Sequence, residues 1–214
     1  MKDAFKLLKT DHYAEKYSSD HNQLLEELER ETHLCVTNSR MCSGYTQGRL
    51  LAMISRLKKP STILEIGTFT GYSTLCLAEG LSSEGKIITI DVDNEVTVIA
   101  CRYFDKSKYS SRIKLYLGDA KEIVPTLDME FDLVFIDADK QHYITYLDMV
   151  IPKLKADGMI LADNVLWSGK VTDRQMDKKT SSIHDFNVRV ASDPNLTSFI
   201  LPVRDGLNII MKKQ

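Results

Sequence analysis

The chain has 214 residues, of which 43% are hydrophobic and 27% are charged, and its net charge at pH 7 is −2. This composition is ordinary for a globular protein, and the length suits one compact α/β domain with a substantial core. Because both signs of charge are interspersed, no strong field favours nucleic acid or an anionic membrane, and small-molecule substrates are the better expectation.

The N-terminal part, residues 1–45, is predicted to be a helical segment that precedes the core at 46–214. Its first twenty residues carry charges throughout and lack a long apolar run, so we expect no signal peptide, no membrane anchor and a cytoplasmic location. Asp20 is the expected cap of a helix over 21–32. The stripe on this helix indicates core packing, with a lid or subunit contact as the alternative. Its residues are Leu24, Leu25, Leu28 and Leu34.

The stretch 61–74, with the sequence STILEIGTFTGYST, organises the rest of the chain. Residues 62–66 are mainly apolar and β-branched, which predicts a short buried strand. Gly67 and Gly71 then bracket a tight turn before a helix predicted over 72–79. Glycines at such a turn permit positive φ and leave room for a ligand against the main chain.

A second strand is predicted over 86–93, and its apolar run ends at Asp91, twenty positions after Gly71. On open parallel sheets, an acid at the tip of the second strand reaches the ribose hydroxyls of a nucleotide-like ligand. The alternative is an ordinary turn followed by a solvated strand end.

Strand and helix signals alternate through most of the remaining chain. This alternation predicts a Rossmann-like α/β fold: a central, mostly parallel, seven-stranded sheet with helices on both faces and an antiparallel C-terminal hairpin. The further predicted helices cover 46–57, 94–104, 140–154 and 181–190, and the further strands cover 113–117, 131–136, 158–162, 197–201 and 207–211.

Acidic and amide side chains follow the fourth and fifth predicted strands. Asp137 follows one strand, and Asp163 and Asn164 follow the other. If these strands are neighbours, the three side chains converge at the carboxyl edge of the sheet, where open α/β sheets bind ligands. Their oxygens suit Mg²⁺, Mn²⁺ or Ca²⁺, with room for two oxygens of a vicinal dihydroxy substrate. The alternative is that strand-end aspartates cap helices.

Five ordered motifs make the chain recognisable: LEIGTFTGYS at 64–73, TIDVD at 89–93, GDA at 118–120, FIDADK at 135–140 and LADNVLWSGKV at 161–171. The chain resembles the cation-dependent O-methyltransferases that use S-adenosylmethionine, a group that contains caffeoyl-CoA O-methyltransferases and, more distantly, catechol O-methyltransferase. The resemblance covers about residues 40–214.

The resemblance implies a set of cofactor and metal residues. Asp137, Asp163 and Asn164 fall on the three metal ligands of the family. The positions that match cofactor contacts are Ser43, Glu65, Gly67, Thr68, Ser73, Asp91, Ala120, Asp137 and Asp139.

Two further positions carry a role by resemblance. Lys140 matches the general base of the catechol enzymes, and Asp137 is counted with it in the catalytic site. An exposed lysine in a first helical turn is the alternative, because metal binding alone can acidify a phenol. Trp167 matches an aromatic residue that borders the substrate pocket, with core packing as the alternative.

The expected reaction is transfer of a methyl group from S-adenosylmethionine to a hydroxyl of a small catechol-like acceptor, with S-adenosylhomocysteine as product and Mg²⁺ as cofactor. A homodimer is expected because relatives are commonly dimers. The rivals are methylation of 5-hydroxyuridine in transfer RNA by the same chemistry and a non-catalytic module that binds S-adenosylmethionine. An NAD-dependent dehydrogenase is disfavoured, since the turn at 67–71 lacks the G-x-G-x-x-G pattern.

Overall fold

The structure is a computed structural model that describes residues 12–19 and 22–213. Its centre is a seven-stranded sheet with the strand order β3-β2-β1-β4-β5-β7-β6. The pairs among β1 to β5 are parallel, whereas β7 pairs antiparallel with β5 and β6. The predicted α/β fold with a C-terminal hairpin is therefore confirmed. The strands are β1 Thr62–Ile66, β2 Lys86–Asp91, β3 Ile113–Leu117, β4 Phe131–Ile136, β5 Leu154–Asp163, β6 Leu196–Leu201 and β7 Leu207–Lys212.

Helices cover both faces of the sheet and form two separate apolar clusters with it. Four helices pack on one face: α1 Gln23–Cys35, α2 Gly44–Lys58, α3 Tyr72–Ala78 and α4 Asn94–Lys106. Three pack on the other, as the alternating sequence pattern predicts: α5 Ala120–Thr126, α6 Tyr143–Val150 and α7 Lys178–Ser192. None of the helices in the described ranges is both long and apolar enough to cross a membrane.

Helix α1 differs from its prediction at both ends. It begins at Gln23, because the Asn22 side chain accepts a hydrogen bond of 2.8 Å from the backbone N–H of Leu24. The predicted cap, Asp20, lies outside the described residues. Leu28 of the predicted stripe is buried, but Leu34 is 74% exposed, so Leu34 does not belong to the core.

The region between β4 and β5 also differs from its prediction. The expected helix over 140–154 ends at Val150, and a short 3₁₀ turn that contains Pro152 leads into β5 at Leu154. Proline cannot supply the backbone N–H that a continued helix needs. Strand β5 therefore begins four residues earlier than the predicted start at Gly158.

Helix α5 was absent from the sequence expectations, although the GDA motif contains its start. Asp119 caps this helix by accepting a hydrogen bond of 2.8 Å from the N–H of Lys121. Similarly, Asp93 is not the last residue of β2 but the cap of α4. Both aspartates thus cap helices, a role that the sequence interpretation did not assign to them.

The strand order reverses between β1 and β4, which places a crevice at the carboxyl ends of these two strands. The N–H of Asp137 donates to the carbonyl of Ile66 at 2.8 Å, so the two strand tips stay together as the chains leave the sheet. This is the position at which open α/β sheets bind ligands.

Candidate active site

Other parts of the chain lie very close to the backbone of the glycine turn after β1. Gly67 has φ of +105°, and a Cβ atom at this position would lie 2.0 Å from the carbonyl oxygen of Asp137. Gly71 has φ of +88°, and a Cβ atom there would lie 2.6 Å from the ring of Phe104. Both positions therefore require glycine for conformation and for space. The sequence interpretation expected this space to admit a ligand, whereas the structure fills it with the Asp137 main chain and the Phe104 ring.

Glu65 anchors this turn from the strand side. Its carboxylate is fully buried and accepts hydrogen bonds from the hydroxyls of Ser73 at 2.5 Å, Thr89 at 2.6 Å and Thr74. Burial raises the pKa of Glu65 to about 7, although the three hydroxyl donors oppose this shift. Glu65 therefore ties the start of α3 to β1 and β2, and Ser73 is held from inside the protein.

Thr68 belongs to the same buried network, because its hydroxyl lies 2.5 Å from that of Thr89. Asp91 lies at the tip of β2 and is partly exposed. One of its carboxylate oxygens accepts from the N–H of Phe69 at 2.7 Å, and the other accepts from the N–H of Asp93 at 2.9 Å. Asp91 thus shapes the glycine turn and also presents acidic oxygens at the crevice.

The other predicted cofactor positions lie at helix starts. Ser43 directly precedes α2, and Ala120 is the first residue of α5; both are buried. Asp139 is exposed, and its side chain accepts a hydrogen bond of 3.2 Å from the N–H of Gln141. Asp139 thus caps the short 3₁₀ helix Lys140–His142, so the cap interpretation is correct for this residue.

Asp137 and Asp163 lie side by side. They directly follow Ile136 and Ala162, which are paired in the parallel register of β4 and β5. Adjoining strands are about 4.8 Å apart. Neither side chain caps a helix: Asp137 accepts from Lys140 at 2.7 Å and Asp163 from Gln47 at 2.7 Å. Structure and sequence agree that these two carboxylates share one edge.

The electrostatics of this pair suit a cation. Asp163 is 4% exposed, and burial together with the Asp137 carboxylate raises the pKa of Asp163 well above its usual range. Two neighbouring carboxylates with an amide offer hard oxygen donors. Within the described ranges, no group of three or more His, Cys, Asp or Glu is arranged to hold a metal.

Lys140 is buried, so the alternative of an exposed lysine is wrong. Its ammonium donates to Asp137 at 2.7 Å and to the hydroxyl of Tyr143 at 2.8 Å. Burial by itself lowers the pKa of Lys140, but Asp137 and Tyr143 together outweigh burial, and the pKa lies above its ordinary value. The hydroxyl of Tyr143 in turn donates to the carbonyl of Asp163 at 2.9 Å, which links the two strand tips.

The loop after β5 carries Asn164 and Trp167, and both have positive φ, +58° and +48° respectively. Trp167 is partly buried and packs against the edge of the apolar cluster on the α6 face, so core packing describes at least one side of its ring. Such backbone angles in residues other than glycine need support from surrounding structure.

This support comes from the β6–β7 turn, to which the sequence interpretation assigned no chemistry. The carbonyl of Asp205 accepts from the N–H of Leu166 at 2.9 Å, and its carboxylate accepts from the N–H of Ser168. Gly206 has φ of +86°, and a Cβ atom there would lie 2.5 Å from the side chain of Leu166. The hairpin turn thus holds the loop that carries Asn164.

Gln47 was also missed. It lies on α2 and is 4% exposed, and its amide donates to the Asp163 carboxylate. Only the tertiary fold brings together these two residues, which are 116 positions apart. The one signal in the sequence that points to Gln47 is a polar residue on a helix face that is otherwise mainly apolar.

Similar sequences and solved structures identify the family of this chain. The family model described as "O-methyltransferase" matches residues 15–213. The chain belongs to the O-methyltransferase family. The caffeoyl-CoA O-methyltransferase of Petroselinum crispum is 34% identical over 185 residues, which cover 79% of this chain and 76% of that protein. The resemblance inferred from the five motifs is confirmed.

Two solved structures are similar to this O-methyltransferase. The SAH-bound methyltransferase PaMTH1 of Podospora anserina has a TM-score of 0.91 and 28% identity, with 98% of this chain and 96% of that chain covered. The O-methyltransferase TomG of Streptomyces achromogenes, in complex with SAM, has a TM-score of 0.90 and 25% identity, with 96% of each chain covered.

Proposed function

We propose that this O-methyltransferase binds S-adenosylmethionine in the crevice between β1 and β4, and uses a divalent cation at Asp137, Asp163 and Asn164 to methylate a small vicinal dihydroxy acceptor. The observation that carries this proposal is the pairing of two carboxylates at adjoining strand tips beside the glycine turn. The bound SAH and SAM of the two similar structures support the choice of methyl donor.

Different residues of the crevice have different roles in binding the methyl donor. Gly67 lets the main chain of Asp137 lie against the turn, which keeps the tips of β1 and β4 together, and Glu65 fixes the hydroxyl of Ser73 at the start of α3. Asp91 presents acidic oxygens in the position that favours ribose hydroxyls. Together these groups would hold the sulfonium methyl in line with the acceptor oxygen, and positioning of this kind supplies a large part of the rate acceleration.

The oxygen donors fit a hard divalent cation. Asp137 and Asp163 each have one carboxylate oxygen engaged by a side chain, which fixes the orientation of the group and leaves its other oxygen to face an ion. When bound, such a cation would lower the pKa of an acceptor hydroxyl and orient it. Asp137, Asp163 and Asn164 are the residues that would hold it.

The first test is removal of the metal. We expect excess EDTA to abolish methyl transfer from labelled S-adenosylmethionine and Mg²⁺ to restore it. Full turnover in EDTA would remove the cation from the proposal. Asp137→Ala should lose metal binding and turnover yet keep most of its affinity for S-adenosylhomocysteine. Asp128→Ala is the matched control, since Asp128 is exposed and precedes β4 rather than following it.

The general-base role of Lys140 stays a prediction. Because Asp137 raises the pKa of Lys140, this side chain holds a proton on Nζ in the protein without a cation, and a base must first lose that proton. Lys140→Met tests the role. A changed pH–rate profile supports it, whereas an unchanged profile shows that Lys140 is not the base.

The acceptor is tested with a panel of simple catechols, caffeic acid, its CoA ester and bulk transfer RNA. We expect turnover with a vicinal dihydroxy compound, since two adjacent oxygens can chelate one ion. Methylation of transfer RNA alone would replace the small-acceptor proposal, and donor binding without any turnover would indicate a non-catalytic module. The homodimer also stays a prediction, which light scattering checks.

A further inference from the structure

A chain of hydrogen bonds leads from the β6–β7 turn to the tip of β5. The Nη1 group of Arg204 donates to Oε1 of Gln47 at 2.9 Å, and Nε2 of Gln47 donates to Oδ2 of Asp163 at 2.7 Å. The first pair is 157 positions apart in the sequence and the second is 116 apart. Three separate elements, the hairpin turn, α2 and β5, therefore meet at one carboxylate.

The chemistry of this chain allows one orientation of the Gln47 amide. A guanidinium only donates hydrogen bonds and a carboxylate only accepts them. The amide oxygen must therefore face Arg204 and the amide nitrogen must face Asp163. Arg204 thus selects the amide orientation in which Gln47 presents a donor to the carboxylate.

Burial makes this contact consequential. Gln47 and Asp163 are each 4% exposed, so water does not readily replace a lost hydrogen bond at either group. Arg204 is exposed at the turn, and its second contact, at 3.4 Å, is with the carbonyl of Cys42 just before α2. The guanidinium therefore holds the start of α2 against the hairpin turn while it fixes the amide.

We propose that Gln47 is a positioning residue that orients the Asp163 carboxylate for the cation, and that Arg204 sets the orientation of Gln47. This inference rests on the cation site proposed above. With Oδ2 held by the amide, Oδ1 is left to face the ion. Partners of metal ligands that act in this way typically change metal affinity about 10- to 100-fold when they are removed.

The test measures Mn²⁺ binding to the whole chain after EDTA treatment, by calorimetry and by the electron paramagnetic resonance signal of bound Mn²⁺. Gln47→Leu should weaken Mn²⁺ binding about 10- to 100-fold and alter the spectrum of the bound ion. Arg204→Gly should weaken it less, because the amide stays in place but loses its fixed orientation. Glycine suits this position, since Arg204 has φ of +51°.

Ser55→Ala is the matched control. Ser55 lies on the same helix, is buried, and donates to the carbonyl of Leu77 at 2.6 Å without touching the acid pair. It should lower the melting temperature but leave Mn²⁺ affinity unchanged. All variants should keep their affinity for S-adenosylhomocysteine, which separates loss of the ion from loss of the fold.

Two failures are distinguishable. If Asp163→Ala weakens Mn²⁺ binding but Gln47→Leu leaves both the affinity and the spectrum unchanged, the positioning role of Gln47 is wrong and the cation site stands. If neither Asp137→Ala nor Asp163→Ala affects Mn²⁺ binding, the cation site itself is wrong, and this inference ends with it.

Discussion

The buried carboxyl of Glu65 makes the stability of this protein depend on pH. Its pKa lies at about 7 in the folded chain, against an ordinary value of 4.5, because burial disfavours the charged form. Between these two values the folded state holds a proton that the unfolded state has lost. The free energy of unfolding that Glu65 contributes therefore falls as the pH rises through this window, and it is constant above it.

The magnitude follows from linkage. One pKa unit corresponds to about 1.4 kcal/mol, and at pH 5 the unfolded carboxyl is already mostly ionised. The contribution of Glu65 to the free energy of unfolding therefore falls by about 2.5 kcal/mol between pH 5 and pH 8. Glu65→Gln removes this titration. The free energy of unfolding of the wild type minus that of Glu65→Gln should therefore decrease by about 2.5 kcal/mol across this range.

The assay is urea unfolding at closely spaced pH values, with EDTA present and cofactor absent so that no ligand contributes. The amide that Glu65→Gln introduces also meets three hydroxyl donors, which shifts the curve by a constant amount, so the slope with pH is the diagnostic quantity. Glu84→Gln, at an exposed site, is the control and should run parallel to the wild type. A difference that stays constant from pH 5 to pH 8 would refute the reasoning.

Two further predictions concern the glycine turn at the site and an acid at the opposite edge of the sheet. Gly67→Ala should abolish donor binding, since its Cβ would lie 2.0 Å from the carbonyl oxygen of Asp137. Gly169→Ala is the control, at φ of +78° with no atom within 4 Å, and it should lower the free energy of unfolding by only about 1 kcal/mol and keep donor binding. Equal losses of donor affinity in the two variants, measured by calorimetry, would contradict this. Asp132→Ala should cost about 2 kcal/mol in urea at pH 7, because Asp132 accepts from both Ser61 and Lys155. These donors outweigh burial and hold the pKa of Asp132 below its usual range, so the loss of stability in Asp132→Ala should shrink as the pH falls below about 4. Asp157→Ala is the control: Asp157 forms an exposed ion pair, and its removal should lower the free energy of unfolding by under about 1 kcal/mol.

Several features were predictable from the sequence because they depend on neighbours in the chain. The limits of β1, β3 and β4 follow from short apolar runs that end at polar or glycine residues, and the structure has them at the predicted positions. The glycine turn and the acid at the tip of β2 follow from spacing alone. The convergence of Asp137 and Asp163 needed only one further assumption, that β4 and β5 are neighbours, which the sheet order confirms.

Other features depended on partners that are distant in the chain. The pattern around Lys140 was equally compatible with an exposed side chain, and only the packing of Asp137 and Tyr143 around it decided that it is buried. The same is true of Gln47, whose role appears once α2 crosses the tip of β5. Periodicity and spacing report which residues face inward along one element. Tertiary packing decides which groups then meet and how they shift each other's pKa, because hydrogen bonds and desolvation act through space and not along the chain.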